Sequence, residues 1–351
     1  MLAYTDTSQL GGADLALSYV LERLDPRFEV AVAGTDAAIV ERVAAGRKGA
    51  SATVVRPPTS GQDFRCLAAH LRTFRALEPD IVHVSLASPW SCQYALAAAG
   101  LLRRPVVAVY QLPRPALGRG QRLARRLTSP AVTRHVGVGE RTSREVEILL
   151  GLARGSVTTI HNGVPDESLD PPERPVPGPI VGSMGRLEPQ KGFDVFLRAL
   201  EDVPAVAAVL VGDGSRRREL NELSSRTGVA DRVLWIDWSD ERRSYLPWFD
   251  VYVLPSRFEG FPLALLEALL AERAVVAADV GSVREAVRDG ETGLLVPPDD
   301  PAALAKAIAR LLEDEDLRRR LGASGRRLVL DTFTADHMTR SFEHLYDEIL
   351  P

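Results

Sequence analysis

Cysteine is nearly absent from this chain of 351 residues: only Cys66 and Cys92 occur. Two cysteines are too few for a disulfide framework or a cysteine-based zinc site, and a reducing, cytoplasmic setting is expected. No apolar run approaches the ~20 residues that a membrane helix needs. The opening MLAYTDTSQLGG has no basic segment followed by an apolar one, so no secretory signal is expected. Lysine is scarce: Lys48, Lys191 and Lys306 are the only three among 43 basic residues. Acid is missing from residues 81–139, which hold eight arginines. Within that gap, segment 114–126 (RPALGRGQRLARR) carries Arg114, Arg119, Arg122, Arg125 and Arg126. Such a one-signed stretch is a candidate surface for something anionic, a soluble anion or an anionic membrane surface, or else a solvated face balanced by acids elsewhere in the fold. Nucleic acid is not the expected partner, because the stretch lacks interleaved aromatics and the pI is near 6.0.

What is present is an ordinary globular composition, 45% hydrophobic and 26% charged. Short apolar runs alternate with helical patterns. Strands are expected at 1–5, 28–33, 52–55, 81–84, 106–110, 135–138 and 157–161, with helices such as 13–24, 64–77 and 140–150 between them. Residues 170–179 (DPPERPVPGP) hold five prolines and read as a linker. The alternation then restarts, with strands at 180–184, 205–211, 233–236, 251–254, 275–278 and 293–296. Helices are expected at 193–200, 215–226, 261–270 and 301–312, and two more at 317–331 and 335–350 close the chain. Strands separated by helices build parallel sheets covered on both faces. The expected fold class is therefore α/β with two Rossmann-like doubly wound domains, 1–169 and 180–334, facing a central cleft. In such sheets ligands sit beyond the carboxyl ends of the strands.

Four motifs fall at those ends. Gly11-Gly12 precedes a helix whose N-terminus favours an anion. Gly185-Arg186-Leu-Glu-Pro-Gln-Lys191-Gly192 places two cations five residues apart, a fork and a point charge suited to a pyrophosphate. Gly212-Asp213-Gly214 reads as a tight turn passing near the ligand. Pro255-Ser-Arg-Phe-Glu259-Gly260-Phe261-Pro-Leu-Ala-Leu-Leu-Glu267 carries two carboxylates eight residues apart. The second is expected about two turns into a helix that starts near Phe261. Ionised carboxylates accept from paired hydroxyls, such as those of a sugar and a ribose.

Together with Ile160-His-Asn162-Gly163, Gly281…Glu285 and Asp289-Gly-Glu-Thr-Gly293-Leu-Leu-Val-Pro, these motifs resemble the retaining glycosyltransferases of family 4, which have the GT-B fold. The resemblance covers nearly the whole chain and is most specific in its second half. It implies a nucleotide-sugar donor on the C-terminal domain and transfer to an acceptor hydroxyl without a metal or other cofactor. The acceptor would be a small molecule, a glycan or a lipid-linked chain. Arg186 and Lys191 would neutralise the diphosphate, Glu259 would contact the donor sugar and Glu267 the ribose. Backbone groups of Gly260 and Phe261 would cap the phosphates. Gly185, Gly212 and Asp213 would help bind the donor, and Gly12 would approach the diphosphate or the acceptor. The helix at 335–350 would pack back on the N-terminal domain. Many relatives have a histidine where Gln111 stands here, or Tyr110 with a one-residue slip, and often His-x-His where His83-Val-Ser85 stands. His83 and His135 are expected to be satisfied strand residues rather than catalytic ones. Two rival readings remain, a GT-B nucleotide-sugar 2-epimerase and a non-catalytic nucleotide-sugar-binding protein.

Overall fold

A computed structural model describes residues 1–59, 63–112, 118, 120–121, 125, 129–203 and 206–350. The chain divides into two compact units, Met1–Pro165 with Thr334–Pro351, and Asp166–Phe333.

The first unit runs β1 (Leu2–Thr5), α1 (Gly12–Arg23), β2 (Ala31–Gly34), α2 (Ala37–Ala45), β3 (Ser51–Val54), α3 (Phe64–Leu77), β4 (Val82–Leu86), α4 (Gln93–Leu101), β5 (Val106–Tyr110), β6 (Arg134–Gly137), α5 (Glu140–Leu150) and β7 (Thr158–Thr159). Its seven-stranded sheet has the order β3-β2-β1-β4-β5-β6-β7. The second unit runs β8 (Ile180–Met184), α6 (Phe193–Ala199), β9 (Ala207–Val211), α7 (Arg217–Arg226), β10 (Val233–Ile236), β11 (Val251–Leu254), α8 (Leu263–Leu270), β12 (Ala274–Ala278), α9 (Val283–Ala286), β13 (Leu294–Val296), α10 (Pro301–Glu313) and α11 (Glu315–Thr332). Its sheet has the order β10-β9-β8-β11-β12-β13. All strand pairs are parallel, as in Register Leu2↔Ala31 and Val251↔Ala274. Both units are Rossmann-like, and the α/β expectation holds.

The physical cause is burial on both faces. The central strands β5, β8, β11 and β12 are buried at every residue, so they are near-continuous apolar runs, and the one hydroxyl in β8, Ser183, donates to Val253 O at 2.7 Å. Each fully buried Val or Leu contributes about 1.5–3 kcal/mol. In each sheet the strand order reverses beside the first strand, between β1 and β4 and between β8 and β11. Those switch points are where such sheets open to ligands.

The proline-rich stretch 170–179 lies within the second unit. Trp248 Nε1 donates to Pro172 O at 2.8 Å, and Arg174 pairs with Asp250 at 2.8 Å. The last helix, α12 (Ala335–Ile349), belongs to the first unit. Its Tyr346 hydroxyl lies 2.6 Å from His83 Nδ1, and Asp347 pairs with Arg27 at 2.8 Å. Of the five arginines in 114–126, Arg125 is described and the other four lie outside the described residues. Arg125 is 2% exposed, with its guanidinium 5.7 Å from the centre of the Tyr110 ring. It therefore belongs to the interior and not to an exposed basic face, a correction to the expectation. Among the described residues no helix is long and apolar enough to cross a membrane.

All six histidines fall in the first unit. Burial lowers His83 to about 3 and His135 to about 4. His135 is satisfied by the Tyr110 hydroxyl at 3.1 Å and by Ser129 Oγ at 3.0 Å. Both imidazoles fold neutral. Below pH ~6.5 the unfolded chain binds protons that the folded chain refuses, so stability falls as pH falls. The loss is about 1.4 kcal/mol per pH unit for each such imidazole. We expect the first unit to weaken between pH 6.5 and 4.5, before carboxylates titrate, while the second unit holds. Hydrogen exchange under mild urea at several pH values checks this; equal weakening of both units would contradict it.

Candidate functional site

The site begins where β8 ends. The loop from Gly185 to Gly192 is pinned to the turn after β9. Gly185 N donates to Val211 O at 3.0 Å, Leu187 N to Asp213 O at 2.8 Å, and Arg216 N to Leu187 O at 3.0 Å. The Glu188 carboxylate accepts from Ser215 N at 3.0 Å and Ser215 Oγ at 2.8 Å. These bonds, with Arg186 and Arg216 nearby, hold its pKa below the usual value. At Gly212 φ is +152°, and a Cβ there would lie 1.9 Å from Gly185 O. Asp213 is exposed, and its carboxylate accepts from Gly214 N at 2.8 Å. Thus Gly212 and Asp213 shape the loop. Arg186 is exposed and makes no ion pair among the described residues.

The same loop is tied to the segment after β11. Gln190 Nε2 donates to Phe258 O at 3.0 Å, and Arg257 N to Gln190 O at 2.8 Å. Arg257 also grips Asp194 through two bonds of 2.9 and 2.8 Å. Lys191 Nζ meets Glu259 Oε1 at 2.6 Å, and Ser256 Oγ donates to that oxygen at 2.7 Å. The Lys191 and Glu259 side chains are 18% and 6% exposed. This pair bridges the loops after β8 and β11, across the switch point of the second sheet.

Beyond Glu259, Ser282 N donates to Gly260 O at 2.9 Å. Gly281 has φ +52°, and a Cβ there would lie 1.9 Å from Glu259 O. Phe261 is 2% exposed and packs edge-on against Phe333, with centroids 5.0 Å apart. Helix α8 starts at Leu263 and not at Phe261, because Pro262 is held extended with ψ 126°. Glu267 consequently sits just over one turn into the helix, not two. Its side chain is fully buried, and Arg242 donates to Oε1 at 2.8 Å. Glu267 Oε2 is buried and accepts no hydrogen bond among the described residues. The Arg242 guanidinium lies 4.5 Å from the centre of the Trp238 ring. Burial, then the charges of Glu267 and Glu259, push the Tyr252 phenol well above its usual value, which places both carboxylates near β11.

Gly12 lies in the first unit, at the start of α1. The loop before it is organised by the buried Asp14. Its Oδ1 accepts from Thr5 Oγ1 at 2.8 Å and Thr7 Oγ1 at 2.7 Å, and its Oδ2 from Gly11 N at 3.1 Å. Gln111 Oε1 accepts from Asn162 Nδ2 at 2.9 Å at the end of β5. Sequence reasoning missed Arg242, Ser256 and Asp14. Among the described residues no cluster of three or more His, Cys, Asp or Glu side chains is placed to hold a metal.

The glycines differ in what a side chain would meet. Gly212→Ala is expected to cost about 2 kcal/mol or more of stability, since strain and clash coincide there. A Cβ at Gly12 would meet nothing within 4 Å among the described residues. Gly12→Ala is therefore expected to leave the fold as stable as before or about 0.5–1 kcal/mol more so, by helix propensity. Urea unfolding of both variants checks the contrast.

Two family models divide the chain: Glycosyltransferase Family 4 matches residues 10–168, and Glycosyl transferases group 1 matches residues 166–328. The chain is 30% identical over 305 residues to the 2-deoxystreptamine N-acetyl-D-glucosaminyltransferase of Streptomyces fradiae, spanning 77% of this chain and 71% of that protein. It is 31% identical over 215 residues to the lipopolysaccharide core biosynthesis glycosyltransferase LpsE of Rhizobium meliloti (strain 1021), spanning 60% of this chain and 61% of that protein. In fold it is similar to Anabaena Alr3699/HepE, solved in complex with UDP-glucose, with a TM-score of 0.84, 21% identity and 99% of each chain covered. The chain belongs to the glycosyltransferases of the GT-B fold.

Proposed function

We propose that this protein is a retaining glycosyltransferase of family 4 that moves a sugar from a nucleoside-diphosphate sugar to an acceptor hydroxyl. The observation that carries the reading is the 2.6 Å Lys191–Glu259 pair across the β8/β11 switch point. Lys191 has three N–H donors and gives one to Glu259. The others are available to a diphosphate, together with the fork of exposed Arg186. Glu259 takes hydroxyls of the donor sugar. The bare Oε2 of buried Glu267 suits a ribose hydroxyl, which would supply the donor that oxygen lacks. Backbone groups at Gly260 and Phe261 receive the phosphates. The acceptor, a small molecule, a glycan or a lipid-linked chain, is assigned to the first unit, with Gly12 at its approach.

The bond from the anomeric carbon to the phosphate oxygen breaks, and the acceptor oxygen bonds that carbon on the same face. The acceptor proton passes to the departing phosphate oxygen, and the nucleoside diphosphate leaves. Arg186 and Lys191 carry the stabilisation of the developing negative charge, with no metal or other cofactor in the scheme. Proton NMR of the fresh product tests the mechanism. An α-linked donor is expected to yield an α-linked product, and a β-linked product overturns retention.

A further inference from the structure

The first unit carries a second cationic feature, apart from every residue assigned above. Helix α3 holds no acid from Phe64 to Leu77, and its arginines are Arg65, Arg72 and Arg75. With Arg56 they line a groove of about 500 Å³ whose floor includes Ala68 and Ala69. All four arginines are exposed. The Asp63 carboxylate is committed to capping α3 through Cys66 N at 3.0 Å and to Thr59 Oγ1 at 2.8 Å. It reaches Arg56 at 3.5 Å. Arg65, Arg72 and Arg75 make no ion pair among the described residues. Arg72 and Arg75 stand one turn apart, a like-charge spacing that costs a helix a few tenths of a kcal/mol unless something anionic lies between them.

We propose that this groove binds an acidic carbohydrate chain bearing carboxylate or phosphate groups. Guanidinium forks match such groups bidentately, and Arg65 to Arg75 covers about 15 Å along the helix at 1.5 Å per residue. One site on a single small anion leaves most of that length unused. At the end of the row Phe64 is 80% exposed and offers an aromatic face to a sugar ring. A membrane fits less well. A helix lying in a bilayer surface presents a broad apolar stripe, whereas Leu67, Leu71 and Leu77 of α3 pack against the core of the unit. The carbohydrate class rests on the transferase reading; the anion class rests on the arginines alone.

The test is calorimetric binding of hexagalacturonate to the full chain, without any donor. Maltohexaose serves as the neutral control. Inorganic polyphosphate and vesicles of equal phosphatidylglycerol and phosphatidylcholine are the competing anions. Hexagalacturonate is expected to bind and maltohexaose not. The affinity should fall between 50 and 500 mM salt, as screening lengths drop below about 10 Å. It should fall at least about tenfold in the Arg65→Gln/Arg72→Gln/Arg75→Gln variant, a change of ~1.4 kcal/mol. Exposed arginines leave the fold intact, which an unchanged melting temperature verifies. Absence of hexagalacturonate binding, or unchanged affinity in the triple variant, overturns the proposal. So does capture of polyphosphate or vesicles by these arginines when hexagalacturonate stays unbound. None of these outcomes touches the donor site, which is probed separately through Lys191 and Glu267.

Discussion

Lys191→Ala is expected to lower sugar transfer about 100-fold or more, because removing one preorganised donor to a developing oxyanion typically costs about 2.7–4 kcal/mol. The substitution also leaves Glu259 without its cation. That carboxylate is 6% exposed but keeps Ser256 Oγ at 2.7 Å, so the folding cost should be about 1–3 kcal/mol and the fold should survive. Arg186→Ala should show a similar loss of turnover with almost no folding cost, since Arg186 is exposed and makes no ion pair among the described residues. Turnover measured beside urea unfolding separates the two effects. Wild-type rates in both variants would remove the diphosphate clamp from the account.

The largest stability effect is expected at Arg242. Its pair with Glu267 is buried, with side chains 5% and 0% exposed. Among the described residues, Arg242→Met leaves the buried carboxylate with only Arg243, whose Nε is 4.0 Å from Oε1, and removing the close partner of a buried pair typically costs about 3–5 kcal/mol. The double variant Arg242→Met/Glu267→Leu should recover most of that loss, because apolar replacement of a whole buried pair is often neutral or stabilising. Nucleotide binding should not return with it, since the bare Oε2 is gone. Urea unfolding of the single and double variants checks the first part and nucleotide titration the second. A single variant as stable as the parent would show that Arg242 does not hold Glu267 in place.

The expected strands 106–110, 180–184, 233–236 and 251–254 match the structure residue for residue. Most of these are buried throughout, and a doubly covered strand permits little besides Val, Leu, Ile and Ala. Helices α2 and α4 were not legible. Helix α4 (QYALAAAGL) is rich in alanine and holds no charged residue, so it shows no strongly polar face to set a period. The start of α8 was misread by two residues, because Pro262 serves as the extended residue before the helix. In the candidate site, local spacing singled out Arg186 with Lys191 and Glu259 with Glu267, and the structure joins Lys191 to Glu259. Arg242 was not singled out, because it meets Glu267 across 25 positions of chain and only tertiary packing joins them. Arginine runs were equally opaque. Nothing in the pattern around Arg125 marks it as lying over Tyr110, and the arginines of α3 are bracketed in sequence by Asp63 and Glu78.

The central claim is that the carboxyl-end loops of the second sheet hold the donor nucleotide. Calorimetric titration of UDP, GDP, ADP and TDP into the parent and three variants tests it most directly. At least one diphosphate should bind, with affinity at least about tenfold lower in Lys191→Ala and Glu267→Gln, a loss of ~1.4 kcal/mol or more. Glu259→Gln should bind the bare nucleotide within about threefold of the parent, since it faces the sugar that the bare nucleotide lacks, and the shift stays under ~0.7 kcal/mol. Parent-like affinity in both Lys191→Ala and Glu267→Gln, or binding of none of the four diphosphates, would contradict the account.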